Sequence, residues 1–249
     1  MNRFTNKTVL VTGGSSGIGL AAAVAFAAEG ATVVITGRDV VTLGQAQATI
    51  GSKAVALHND ASDIADAKLL AESLIARGLR LDAVFINAGV AKLVPFAEVD
   101  EMLWNQIIST NLKGPYFQIQ ALLPLLNPGS SIVLNGSVNA GIGMPNTSVY
   151  AASKAALISL ARTLSAELLP SGVRVNVVSP GPVVTPLYKK LGLDTRELEA
   201  TSEHIQSLVP LGRFGTSQEI AATVLHLSSQ ESAFIVGTEI IADGGMSKL

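Results

Sequence analysis

Along the whole chain, short apolar runs of β character alternate with stretches of helical periodicity. Val9-Leu10-Val11, Val33-Val34-Ile35, Ala54-Val55-Ala56-Leu57, Ala83-Val84-Phe85-Ile86, Ile132-Val133-Leu134, Val173 to Val178 and Glu239 to Ile241 predict seven strands. Their apolar residues are continuous rather than alternating, as expected of a sheet buried on both faces. Helical spacing predicts helices over 19–28, 41–50, 63–76 with Ser62 or Asp63 as cap, and 216–227. A longer one runs from about Glu101 to Leu125 with a break near Pro115, and another starts at Tyr150. This βαβ alternation, without linker or internal repeat, predicts one α/β domain over residues 1–249 built on a doubly wound parallel sheet. The least regular part, about 183–211, has helical periodicity from Pro186 to Leu208 and lies between the Pro180-Gly181 turn and Pro210. It is expected to form a small helical lid over a substrate.

Composition narrows the setting. The chain of 249 residues is 48% hydrophobic, and its mean hydropathy is +0.44. No apolar run reaches the eighteen or so residues of a membrane span; the richest, Ala21 to Ala28, stops at Glu29-Gly30. A doubly buried sheet and apolar subunit contacts account for the hydropathy better. The N-terminal residues lack the apolar region of a signal peptide and there are no cysteines, so a cytoplasmic protein without disulfides is expected. A net charge of −2 with no basic block argues against nucleic acid and membrane partners. His58, His204 and His226 are scattered, and no metal site is expected.

Two stretches carry chemistry. In Tyr150-Ala151-Ala152-Ser153-Lys154 the tyrosine and lysine fall on one helical face, which continues through Leu157, Ile158, Ala161 and Leu164. A lysine at the head of a buried stripe needs a task. Its ammonium is expected to stabilise a phenolate and bring the tyrosine pKa down from about 10 toward the range of acid–base catalysis. Ser137, thirteen residues upstream and just past an apolar run, can hold a substrate oxygen. The second stretch, Thr12-Gly13-Gly14-Ser15-Ser16-Gly17-Ile18-Gly19, joins the first strand to the first helix. Glycines there allow close approach of a pyrophosphate to a helix N-terminus. Arg38, Asp60, Asn87-Ala88-Gly89, Ser137 and Pro180-Gly181 all follow strands at the same sheet edge, where such folds bind ligands.

The set T-G-G-S-S-G-I-G, N-A-G, N-L-K-G at Asn111, Ser137, Y-A-A-S-K, P-G and D-G-G at Asp243 spans nearly the whole chain. It resembles the short-chain dehydrogenase/reductase family, in its branch of about 250 residues with a single Rossmann-fold domain. The resemblance implies an oxidoreductase, similar to secondary alcohol dehydrogenases and ketone reductases, with Tyr150 as acid/base and Ser137 positioning the substrate oxygen. It implies that Lys154 holds the nicotinamide ribose and lowers the tyrosine pKa, and that Asn111 helps organise a water-mediated proton relay. The dinucleotide is expected on Gly13, Ser15, Ser16, Gly17, Ile18, Gly19, Arg38, Asp60, Ala61, Asn87, Ala88, Gly89, Tyr150, Lys154, Pro180, Gly181, Val183 and Thr185. Arg38, where an NAD enzyme carries a carboxylate, points to NADP(H). Asp39 can turn away to start a helix.

A moderately bulky, mainly apolar ketone or secondary alcohol is expected, not a sugar or a charged acid. Val138, Asn139, Met144, Leu187, Tyr188 and Leu191 are its expected contacts, with Gly141 and Gly143 leaving room. Two other functions compete. A 3-oxoacyl-carrier-protein reductase needs a basic patch, which Lys189, Lys190 and Arg196 can offer but Asp194, Glu197 and Glu199 dilute. A non-catalytic dinucleotide-sensing module has no need of Ser137 and Tyr150 together. Apolar residues on several sides of the 101–125 helix, Leu103, Trp104, Ile107, Ile108, Leu112, Phe117 and Ile119, predict a two-fold helical interface and, with the resemblance, a homotetramer.

Overall fold

The computed structural model describes residues 2–185 and 195–249, with the backbone alone over 195–200. Seven parallel strands form one sheet: β1 (Thr8–Val11), β2 (Thr32–Gly37), β3 (Ala54–His58), β4 (Leu81–Ile86), β5 (Leu126–Asn135), β6 (Arg174–Pro180) and β7 (Glu239–Ala242). Their spatial order is β3-β2-β1-β4-β5-β6-β7. The chain therefore winds outward from β1 in one direction, then returns to β4 and winds outward in the other. The crevice between β1 and β4, where Val9 pairs with both Val33 and Ala83, is the switch point at which ligands bind in such sheets.

Both sheet faces are buried, which explains the continuous apolar strands. Val9, Val11, Val33, Ile35, Phe85 and Val133 pack on one side with Phe26 of α1 (Gly17–Ala28) and Val224 and Leu225 of α8 (Ser217–Ser228). Leu10, Val34, Val84, Ile132 and Leu134 face the other side. There they meet α3 (Ile64–Ala76), α5 (Gly114–Leu122) and α6 (Ser148–Leu168). Helix α2 (Val40–Ile50) lies beside β2 and β3, α4 (Glu101–Ile108) precedes α5, and α7 (Thr195–Ser207) precedes α8. Asp63, Asp100 and Thr216 cap α3, α4 and α8 by accepting backbone N–H bonds. No helix among the described residues is long and apolar enough to cross a membrane.

The 101–125 segment departs from expectation. The break is a π-helical turn over Ser109–Lys113, with Gly114 N–H reaching the Ser109 carbonyl, and Pro115 sits in the first turn of α5. Proline lacks an N–H for the preceding turn, so the helix loosens one turn ahead of it. Asn111 lies in that loosened turn and is buried.

Candidate active site

The first βα turn is held by its own backbone and by Asn87. Gly13 has φ +62, a conformation natural to glycine. A Cβ at Gly19 would collide with the Gly13 carbonyl oxygen and the Asn87 side chain. Helix α1 starts at Gly17, two residues earlier than the sequence reading, with no side-chain cap on its first N–H groups and no acidic residue in its first turn. That uncompensated positive end is suited to a pyrophosphate. Asn87 Nδ2 donates to the carbonyls of Thr12 (3.0 Å) and Gly13 (3.2 Å). Its Oδ1 accepts from Asn135 Nδ2 at 3.0 Å. Thr12, which the sequence reading did not single out, is fully buried and its Oγ1 accepts the N–H groups of Asn87 and Ala88.

At the ends of β2 and β3, Arg38 and Asp60 approach to 3.9 Å and both remain partly open to solvent. Asp60 Oδ1 accepts from Ser62 N and Oγ, and Ala61 beside it is buried. Asp39 Oδ1 accepts the Thr42 N–H at 2.7 Å, and that bond holds its carboxyl below the usual range. The carboxylate next to Arg38 is thus committed to capping α2.

Ser137, Tyr150, Lys154 and Asn111 converge at the carboxyl end of β5. Ser137 begins a short 3₁₀ turn, and its Oγ accepts from Asn139 N at 3.2 Å. Tyr150 and Lys154 lie one turn apart in α6, with the Lys154 Nζ 5.8 Å from the Tyr150 ring centroid. Lys154 is 4% exposed and donates to the Asn135 carbonyl at 2.6 Å. Burial pushes its pKa down to about 8. Burial likewise raises the Tyr150 pKa, opposed by the neighbouring Ser137 hydroxyl. The lowering expected from the ammonium does not set the Tyr150 pKa here: desolvation of the phenol is the larger cause, and the Ser137 hydroxyl is what opposes it. Asn111 Oδ1 accepts the Val90 N–H at 2.8 Å, and its Nδ2 donates to Val90 O and Ser153 Oγ. Ser153 Oγ in turn donates to Tyr150 O at 2.7 Å. Asn111 thereby clamps the loop after β4 to the first turns of α6.

One cavity of about 170 Å³ opens among these groups. Ile18, Ser137, Val138, Asn139, Met144, Tyr150, Pro180, Gly181, Val183 and Thr185 line it, all from the sequence expectation. Gly141 and Gly143 do not. Leu187, Tyr188 and Leu191, and much of the expected lid, lie outside the described residues. The reading missed Ala91, Lys92 and Leu93 after β4, Thr147 before α6, Ile205 on α7 and Met246 near the C-terminus. Met246 is brought in by Asp243, whose carboxylate accepts the N–H groups of Gly245 and Ser247. Asn135 lines the cavity as well, and its buried Oδ1 has no partner.

A family model described as enoyl-(acyl carrier protein) reductase matches residues 13–247. The chain belongs to the short-chain dehydrogenases/reductases. It is 37% identical to the oxidoreductase asL5 of Sarocladium schorii, covering 100% of this chain and 99% of that protein. It is 34% identical to the 3-oxoacyl-[acyl-carrier-protein] reductase FabG of Thermotoga maritima, over 98% and 99% of the two chains. Levodione reductase superposes with a TM-score of 0.92 at 30% identity, over 98% of this chain and 99% of that one. The family uses nicotinamide dinucleotides, NAD or NADP, on small-molecule substrates. The uncapped α1 terminus and the glycine-packed turn beside Asn87 fit such a cofactor.

Proposed function

We propose that this short-chain dehydrogenase/reductase interconverts ketones and secondary alcohols with NADP(H). The carrying observation is that Ser137, Tyr150 and the glycine turn's Ile18 share one cavity, with Lys154 directly behind. The bound cofactor supplies or accepts the hydride. Ser137 and Tyr150 hold the substrate oxygen. A phenol whose pKa burial has raised is protonated at neutral pH, which suits it to donate to the oxygen of a ketone being reduced. Lys154, bound to the Asn135 carbonyl, offsets the charge that phenolate formation leaves behind. Glycine-turn residues 13–19, Arg38, Asp60, Ala61, Asn87 to Gly89, Lys154 and Pro180 to Thr185 hold the dinucleotide.

Preference for NADP(H) rests on Arg38, largely open to solvent at the end of β2 with Asp60 only at 3.9 Å, while Asp39 is turned into its cap. The mostly apolar lining, Val138, Leu93, Met144, Ile205 and Met246, supports a substrate with an apolar body. The chain assembles as a homotetramer in the cytoplasm on this reading. Ile108, Leu112, Tyr116 and Phe117 line a shallow apolar groove with Ala156 and Leu160 of α6, and Phe234 stands fully exposed elsewhere. A second reading is a 3-oxoacyl-carrier-protein reductase, the activity that the Thermotoga relative's name carries, although that relative alone does not favour it for this chain. Initial rates with a panel of alkyl and aryl ketones, and with a carrier-bound 3-oxoacyl substrate, under NADPH and NADH test both. The proposal expects higher kcat/KM for apolar ketones with NADPH, and reversal of cofactor preference in Arg38→Asp. A preference of the native enzyme for NADH would refute the cofactor assignment, and turnover confined to the carrier-bound substrate would establish the second reading.

A further inference from the structure

Lys92 is the feature of the cavity that the preceding reading leaves unused. It is partly buried and shares the cavity lining with apolar residues such as Ala91, Leu93, Met144 and Ile205. Among the described residues lining the cavity it is the sole lysine, arginine, aspartate or glutamate. Neither a hydrogen bond nor an ion pair holds its ammonium among the described residues, and every charged group that approaches another lies elsewhere. Its backbone, by contrast, is fixed on both sides. Val90 exchanges two hydrogen bonds with the buried Asn111 side chain, at 2.8 and 2.9 Å. Val94 N–H donates to the Asn146 carbonyl at 2.9 Å. The clamp that orders the start of α6 therefore also sets the position of Lys92 relative to Tyr150.

We propose that Lys92 is a specificity-determining residue that pairs with a carboxylate carried by the substrate, so that the preferred substrates are keto acids or hydroxy acids with an apolar stem. This rests on the ketone reductase reading and deepens it. Ser137 and Tyr150 already account for the reacting oxygen, so a second polar anchor must answer to another part of the ligand. Closing a ligand over an unpaired ammonium in an apolar wall removes its water, at a cost that only an anion or several acceptors offset. A carboxylate gives a charge-assisted bond there, and a neutral ester or alkyl end does not. The sequence expectation of an uncharged substrate considered Lys189 and Lys190 and overlooked Lys92, because a loop lysine three residues past N-A-G shows nothing of the cavity beside it.

The test is a homologous series of straight-chain keto acids, each assayed beside its methyl ester. For at least one chain length the acid should have the higher kcat/KM by about tenfold, the size expected of a bond to a charged group. Lys92→Met should reduce that acid-to-ester ratio to near unity, Lys92→Arg should keep most of it, and added salt should lower it. In parallel, calorimetric titration of Tyr150→Phe and of Tyr150→Phe/Lys92→Met with the same acid, in the presence of NADPH, reads binding without turnover. Acid binding at least tenfold weaker in the double variant supports the subsite even if no ketone is reduced, an outcome that would refute the reductase reading alone. Reduction of esters and acids at equal efficiency, an acid preference that survives Lys92→Met, or acid binding indifferent to Lys92 would overturn the proposal.

Discussion

Removing the Asn87 side chain should loosen the dinucleotide turn and the catalytic end of β5 together. Asn87→Ala deletes two bonds donated to Thr12 O and Gly13 O and one accepted from Asn135 Nδ2. Asn135 Oδ1 is already without a partner, so its amide would be left with none. Each broken bond at a partly buried site costs about 1 kcal/mol, which sums to roughly 2–4 kcal/mol. For a chain of this length that corresponds to a fall in Tm of roughly 5–15 °C. Cofactor affinity should fall by about tenfold, because the Gly13 carbonyl and hence the turn are no longer fixed. Asn87→Asp separates hydrogen bonding from size. It keeps an acceptor for Asn135 but sets a carboxylate oxygen against two carbonyls, so it should be no better than alanine at neutral pH. Differential scanning calorimetry and fluorescence titration with NADPH give both readouts. A Tm for Asn87→Ala within about 2 °C of the native protein, or an aspartate variant clearly more stable than the alanine one, would refute this account of the turn.

The Lys154 ammonium titrates near 8 in the folded protein and near 10.4 when unfolded. The unfolded chain therefore binds more protons between those values, and this group's contribution to stability rises with pH from about 8 to about 10. Above about 10 the raised Tyr150 pKa works the other way, because the unfolded phenol ionises first. Urea midpoints across this range should show the rise, and Lys154→Met should flatten it. Arg174, 6% exposed, donates to the carbonyls of Leu227, Ser229 and Ile235 around the C-terminal end of α8. Arg174→Met removes these bonds while each carbonyl keeps another donor, from Ser131, Ser232 or Asn176, and should lower Tm by roughly 2–10 °C with little change in kcat/KM at room temperature, as its bonds lie away from the cavity.

The strands were legible because the sheet is buried on both faces, and continuous runs such as Val33 to Ile35 need no tertiary information to stand out. β5 was underestimated. It begins at Leu126, and its first half, Asn127-Pro128-Gly129-Ser130-Ser131, is a turn-like sequence paired through a register irregularity opposite Leu81 and Ala83. The break near Pro115 was visible but displaced, since proline perturbs the turn before it and the sequence does not reveal that Asn111 is what the loosened turn presents. Motif positions named part of the cavity's lining, Ile18, Ser137 and Tyr150 among it. The direction of the Tyr150 shift was not readable, because a neighbouring lysine can be seen in a sequence but the desolvation of a phenol cannot. Lys92, Ile205 and Met246 reach the cavity from three distant segments with no shared pattern, and only the fold brings them together.

The most direct measurement is single-turnover oxidation of NADPH by Tyr150→Phe with a ketone that the native enzyme reduces, alongside the variant's affinity for NADPH. Phenylalanine keeps the ring and removes only the hydroxyl. The account predicts cofactor affinity within about threefold of native and hydride transfer slowed by at least about a thousandfold, the scale of a lost proton donor that also holds the substrate oxygen. Near-native hydride transfer in Tyr150→Phe would contradict it.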